Sequence, residues 1–259
     1  MRGTFVLFKK ELAGYFLSPL FYFISFLMTG LLSVMFSISL GKFHETVSNA
    51  MLQLGAPPQA QNIHYAVFIP HLSLVNLLLI FLVPALCMRL LAEEKKVRTF
   101  DLLLTSPVTS LTIVLGKYLA TLVTIFGLIV VTMIYPVISS RIADFSWAPT
   151  LIAAIGIFLV AAVYAAMDLF ASSLTDNGLI AFVLSIVFNL TIWFVGALNE
   201  SFDEPTAKKI LEHLSINTHL AGLIEGTVRT SGLVFIFSLI FLFCFLTERV
   251  IESSRWRAS

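Results

Sequence analysis

Residues Leu86 to Lys117 read L-C-M-R-L-L-A-E-E-K-K-V-R-T-F-D-L-L-L-T-S-P-V-T-S-L-T-I-V-L-G-K. A long apolar run ends at Arg89. A charged stretch follows, Glu93, Glu94, Lys95, Lys96, Arg98 and Asp101. Then comes a compact apolar face, Phe100 and Leu102-Leu103-Leu104, stopped by Pro107. A second long apolar run begins soon after. This is the pattern of a hairpin on the inner side of a membrane, joining two spans, with boundaries at about 92–111. An apolar helical face at the end of a hairpin suits docking into a groove on a soluble partner.

Composition supports a membrane setting. Of 259 residues, 58% are hydrophobic and 12% charged, and 24 are phenylalanine. A soluble domain carries roughly 25% charge. This chain has too little polar surface to cover itself in water, so the bilayer is its expected solvent. Net charge of +1 gives no case for nucleic acid. The two cysteines, Cys87 and Cys244, fall in apolar runs and read as packing residues rather than a disulfide. The first apolar run is about as long as a full span and has no small-x-small cleavage site, so it reads as retained.

Six apolar runs occur, at about 17–40, 67–91, 114–138, 149–173, 178–198 and 232–248. A span needs roughly 20 apolar residues. The fold class expected is therefore an all-α membrane protein with six transmembrane helices in a single domain. Ahead of them, Phe5, Phe8, Leu12 and Phe16 recur at helical spacing over 3–16, with Lys9, Lys10 and Glu11 at other angles. That predicts an amphipathic helix lying in the membrane interface. Ser18-Pro19 separates it from the first span. Of the 16 Lys and Arg residues, 11 fall on the side of the N-terminus and 5 on the other. The positive-inside rule then places both termini in the cytoplasm. The outer loops are 41–66 and 199–231. The second contains Pro205 before a short helical stretch, then another from about Thr218 to Glu225 ending at Gly226.

Other polar residues have plain explanations. His44, His64, His71, His213 and His219 fit no metal-ligand spacing and read as surface or interfacial groups. Counting about 1.5 Å per residue along the fourth span puts Asp168 near the inner surface, as an interfacial acid or a contact to a partner ATPase. Asp176-Asn177-Gly178 is a turn signal. Asn76, Asn189 and Thr191 sit within spans two and five, where polar groups usually bond between helices. Ala161, Ala162, Ala165 and Ala166 form small-xxx-small pairs that favour close packing. Pro70, Pro84 and Pro136 are candidate kinks. No G-x-x-x-x-G-K-[ST] loop, H-E-x-x-H or G-x-S-x-G is present.

The order M-R-x-x-A-E-E, then L-L-L-T-S-P-V, then I-V-L-G-K resembles the coupling segment of ABC type-2 export permeases. It departs at two positions. Arg98-Thr99 stands where the family usually has Gly-Thr, and Asp101 where it usually has Glu. Phe8-Lys9-Lys10-Glu11 through Tyr15-Phe16-Leu17-Ser18-Pro19 resembles the opening of the branch linked to gliding motility. The stretch Leu214 to His219, with Gly226 and the final span, resembles the same branch. The resemblance implies a permease subunit of an ATP-driven exporter in a bacterial inner membrane, paired with a second copy or a paralogue. ATP and Mg would be bound by a separate ATPase subunit, and this chain would carry no cofactor or catalytic site of its own. Coupling to that ATPase would fall to Glu93, Glu94, Phe100, Asp101, Leu102, Leu103, Leu104 and Pro107. The interfacial helix would contribute through Phe8, Lys9, Lys10, Glu11 and Phe16. A membrane-anchored extracytoplasmic companion would touch the outer loops, with His213 and His219 among the contacts.

Two rival readings differ in class. An intramembrane enzyme needs an acid pair, a Ser-His pair or a metal motif facing the bundle interior, and none is evident. A membrane scaffold that does mechanical work on an outer partner, with no solute crossing, fits the low polarity of the spans.

Overall fold

The computed structural model describes residues 2–52, 62–100, 108–141, 145–198, 213 and 215–258. Among these the chain is helical and contains no strand. In order the helices are α1 (Arg2–Leu17), α2 (Pro19–Leu52), α3 (Ile69–Cys87), α4 (Ala92–Lys96), α5 (Ser110–Thr132), α6 (Ile134–Ser139), α7 (Trp147–Leu174), α8 (Gly178–Leu198), α9 (Ile216–Ile224) and α10 (Thr230–Ala258). Six helical stretches among the described residues are long and apolar enough to cross a membrane. The expected multi-pass architecture is therefore present.

Helix α7 is the axis of the bundle. It packs against α3, α5, α8, α9 and α10. Of its most apolar window, 72% is buried, against 17% for both α8 and α10. Small residues make this possible. Ala153, Ala161, Ala162, Ala165, Ala166 and Ala171 are all buried on α7. At Gly156 an added Cβ would lie 2.6 Å from the Cβ of Leu223, so α9 rests directly on the α7 backbone. The alanine pairs seen in the sequence thus serve close packing.

Several boundaries differ from the sequence reading. Among the described residues of the first outer loop, expected at 41–66, most are helical. Helix α2 runs on to Leu52, and a π-helical turn at His64–Phe68 leads into α3. Helix α10 continues ten residues past the expected end at 248. In both places polar residues such as Lys42, Glu45, Glu248 and Glu252 end the apolar run without ending the helix, because they are adequate helix formers. Hydropathy marks where the lipid stops, not where the backbone hydrogen bonds stop.

The prolines also act differently. Pro70 stands in the first turn of α3, just after a π turn in which the Ile69 N–H donates to His64 O. Pro84 lies inside α3. Pro136 coincides with a break, as α5 stops at Thr132 and α6 restarts after Met133. The corner between α1 and α2 is built as expected: Ser18 Oγ accepts from Leu20 N at 3.3 Å and Pro19 opens α2. Asn177 Oδ1 accepts from Leu179 N at 2.9 Å and starts α8. Helix α9 ends at Ile224 with Glu225 as its cap, and Gly226 takes φ +87°. The helical stretch expected after Pro205 lies outside the described residues.

Candidate functional site

Helix α1 packs along α5. The face it uses is not quite the one its apolar residues suggested. Leu7, Phe8, Leu12 and Tyr15 pack on the core, while Phe5 and Phe16 are exposed, Phe16 resting edge-on against Phe21 at 5.0 Å. Glu11, read from the sequence as part of the polar side, points into the bundle. The close approach depends on Gly116. A Cβ there would meet Leu7 Cβ and Cδ2, each at 3.0 Å.

One residue on from that glycine, Lys117 is 1% exposed and lies between two carboxylates. Its Nζ is 2.9 Å from Glu11 Oε1 on α1 and 2.9 Å from Glu94 Oε1 on α4. Lys10 adds a looser contact to Glu94 at 3.6 Å from the exposed side. Burying a lone ammonium is costly unless it is paired and hydrogen-bonded. Here it donates to two acids from two different segments, which are themselves only 15% and 17% exposed. The three helices are thereby tied at one point. A turn further along, Tyr15 Oη is 2.9 Å from Thr121 Oγ1 and 3.4 Å from Leu86 O, and Thr121 Oγ1 donates to Lys117 O. Burial raises the Tyr15 phenol well above its usual range, so it remains a neutral donor.

The hairpin continues from α4. Lys95 Nζ donates to Ser173 O at the end of α7. Ser172 Oγ accepts from the backbone of Leu91 and Ala92 at 3.2 and 3.1 Å. The ammonium of Lys95 also lies 5.3 Å from the Phe100 ring centre. Phe100 is buried and packs into the chain's own core. Arg98 has φ +60° and is the one non-glycine with positive φ among the described residues.

Of the expected coupling residues, Glu94 joins the charge cluster. Glu93 is exposed and pairs only with Arg89, at 3.8 Å. Asp101, Leu102, Leu103, Leu104 and Pro107 lie outside the described residues. On α1, Glu11 and Lys10 enter the cluster, while Lys9 stays exposed. Of the residues expected to touch an outer companion, His213 is exposed, and its carbonyl is 3.1 Å from His219 Nε2. Lys117 was quoted in the sequence only as the end of a motif. The signal that could have singled it out is a lysine seven residues into an apolar helix, where an ionisable group needs a partner.

A second buried charge was misplaced. Asp168 is fully buried rather than interfacial. It lies six residues before the end of α7, and its side chain faces the bundle. Its Oδ2 is 3.4 Å from Asn189 Nδ2, which also donates to Ile80 O at 3.3 Å, while Oδ1 has no partner. Thr191, expected to bond between helices, is exposed and donates to Val187 O on its own helix at 2.7 Å. His64 and His71 are buried, contrary to the surface reading. His64 Nε2 is 3.1 Å from Ile224 O, and His71 lies between Phe36 and Tyr135. Cys87 and Cys244 are both free thiols.

No family model matches this chain, and no curated protein matches it.

Proposed function

We propose that this chain is the membrane subunit of an ATP-driven ABC-type export or mechanical complex, with ATP hydrolysed by a separate subunit. One observation carries the reading. Three stretches that resemble the permease pattern, Phe8–Pro19, Met88–Phe100 and Gly116–Lys117, converge on a single buried ammonium. The two nearest of the three charged residues, Glu94 and Lys117, are 23 positions apart in sequence. A shared three-dimensional joint gives each a reason to exist.

The joint suggests how motion would be passed on. A displacement of the 92–111 hairpin moves Glu94, and Glu94 is bonded to Lys117 on α5. Lys117 is in turn bonded to Glu11 on α1. The hairpin is also fastened to the end of α7 through Ser172 and Ser173. A push from below therefore reaches the first helix and the bundle axis together. The apolar run Leu102–Leu104 is the proposed hold for the ATPase. Burying one Leu contributes roughly 1.5–3 kcal/mol.

The test is a pull-down with the double substitution Leu102→Asp and Leu103→Asp. The spans are untouched, so insertion is expected to survive while ATPase recovery falls at least about tenfold, since about 1.4 kcal/mol corresponds to one decade. A double variant that inserts and still holds the ATPase at full strength removes the coupling role. Nucleotide hydrolysis by the purified chain alone would remove the division of labour.

A further inference from the structure

Beside the Lys117 joint lies a cavity of about 330 Å³. It opens where α1, the start of α2 and the end of α3 meet, at the ends of two candidate membrane spans. That is the level at which lipid headgroups sit against a span. Its apolar wall is formed by Tyr15, Leu20, Phe21, Leu86 and Leu90. Its charged wall carries two bases, Lys10 and Arg89, and the acids Glu11, Glu93 and Glu94.

These charges are not equally committed. Lys10 and Arg89 are 65% and 56% exposed, and their ion pairs are loose, at 3.6–3.9 Å. Such pairs contribute little and open readily. Two exposed basic arms at a cavity mouth suit a phosphodiester. Glu94 differs. Its Oε1 is taken by Lys117, but its Oε2 is buried and has no hydrogen-bond partner. An unsatisfied buried acceptor is costly and calls for a donor. Glu94 lines the cavity, and a carboxylate with one oxygen unsatisfied asks for an N–H donor with positive charge.

We infer that this cavity binds a phospholipid whose headgroup joins a phosphodiester to a primary ammonium, as in phosphatidylethanolamine. The phosphate lies between Lys10 and Arg89. The ammonium donates to the Glu94 carboxylate. The glycerol and upper acyl chains follow the Leu20, Phe21, Leu86 and Leu90 wall into the membrane. The volume falls in the usual range for small-ligand sites, roughly 300–1,000 Å³. This inference stands on the membrane placement of the helices and not on the ABC reading.

Chemistry offers a test that needs no variant. The full chain is reconstituted in nanodiscs containing phosphatidylethanolamine, its mono- and dimethyl derivatives, phosphatidylcholine or phosphatidylglycerol. Lipid retained after release is counted by native mass spectrometry. A hydrogen bond to a charged group is worth roughly 1.5–3 kcal/mol. Retention should therefore fall stepwise as N–H bonds are replaced by methyl groups, by at least about tenfold across the series. Glu94→Gln should flatten that series. Arg89→Gln should lower retention of phosphatidylethanolamine and phosphatidylcholine alike. Equal retention of these two lipids by the native chain overturns the assignment, as does a preference for phosphatidylglycerol. Retention of no lipid, with the cavity filled instead by a partner protein in the assembled complex, overturns it too.

Discussion

Lys117 and Asp168 are both removed from solvent, on helices that pack against each other, yet their surroundings are opposite in kind. Lys117 sits at 2.9 Å from each of two carboxylates drawn from α1 and α4. Asp168 has a single long contact from an amide, at 3.4 Å, and a free Oδ1. The first is a joint between segments, where each charge depends on the others. The second is a polar group enclosed in the α3–α7–α8 core, where no opposite charge depends on it. Removing one partner of a buried ion pair strands the rest, whereas removing an unpaired group strands nothing.

The largest expected effect tests that asymmetry. Lys117→Met leaves Glu11 and Glu94 facing each other without a cation. Breaking a buried pair in this way costs about 3–5 kcal/mol. Denaturant unfolding of the purified chain should register the loss, and adding Glu11→Gln and Glu94→Gln should recover most of it. A single substitution no worse than the triple one would break the comparison, since the cluster would then be an ordinary surface arrangement.

The two close-approach glycines sharpen it. Gly156→Leu drives a side chain into Leu223, whose Cβ is 2.6 Å from the first added atom. Both backbones belong to the rigid core, so a cost of about 1–3 kcal/mol is expected from overpacking. Gly116→Ala in the joint meets Leu7 at 3.0 Å, and α1 has fewer neighbours to hold it in place. Its expected cost is smaller. Thermal unfolding of both variants gives the order, and a larger loss at Gly116 would show α1 to be as tightly held as the bundle axis.

Asp168→Asn is expected to change stability by less than about 1 kcal/mol. The amide keeps an acceptor for Asn189 and removes a charge that had no counter-ion. A loss of the size seen at Lys117 would reveal a cation at Asp168 and dissolve the contrast. The smallest effect is expected at the turn of the hairpin. Arg98 is held at φ +60°, which costs a non-glycine residue about 1–2 kcal/mol. Arg98→Gly relieves that strain but gives back roughly 0.5–1 kcal/mol in unfolded-chain entropy. A net gain of about 0.5 kcal/mol is expected by the same unfolding assay, and Arg98→Val should be worse than either.

Particular residues show how far the sequence could be read. The alanines of α7, the turn at Asn177 and the glycine stop at Gly226 were legible, because each depends on local geometry or on packing size alone. The absence of glycine at Arg98 was visible too, and the backbone there takes the conformation glycine would have favoured. Glu11 was not legible. Its neighbours Lys9 and Lys10 point outward, and nothing local says that the third charge in the run turns inward. Asp168 was not legible either, since rise per residue does not say which face of a helix is covered. His64 and His71 failed for a related reason. They stand at the end of an apolar run, and only the packing of α9 and α2 over them takes them out of solvent.

Sequence alone determined that this chain is a multi-pass helical membrane protein. Hydropathy and length act locally, and a run of some 20 apolar residues has one stable home whatever its neighbours do. Tertiary structure alone decided which charges meet. Glu11, Glu94 and Lys117 lie in separate segments, and their pairing depends on α1 settling into the space left by Gly116. Coulomb attraction falls with distance and is weakened by water, so a charge has no defined partner until packing has excluded the solvent and fixed the separation.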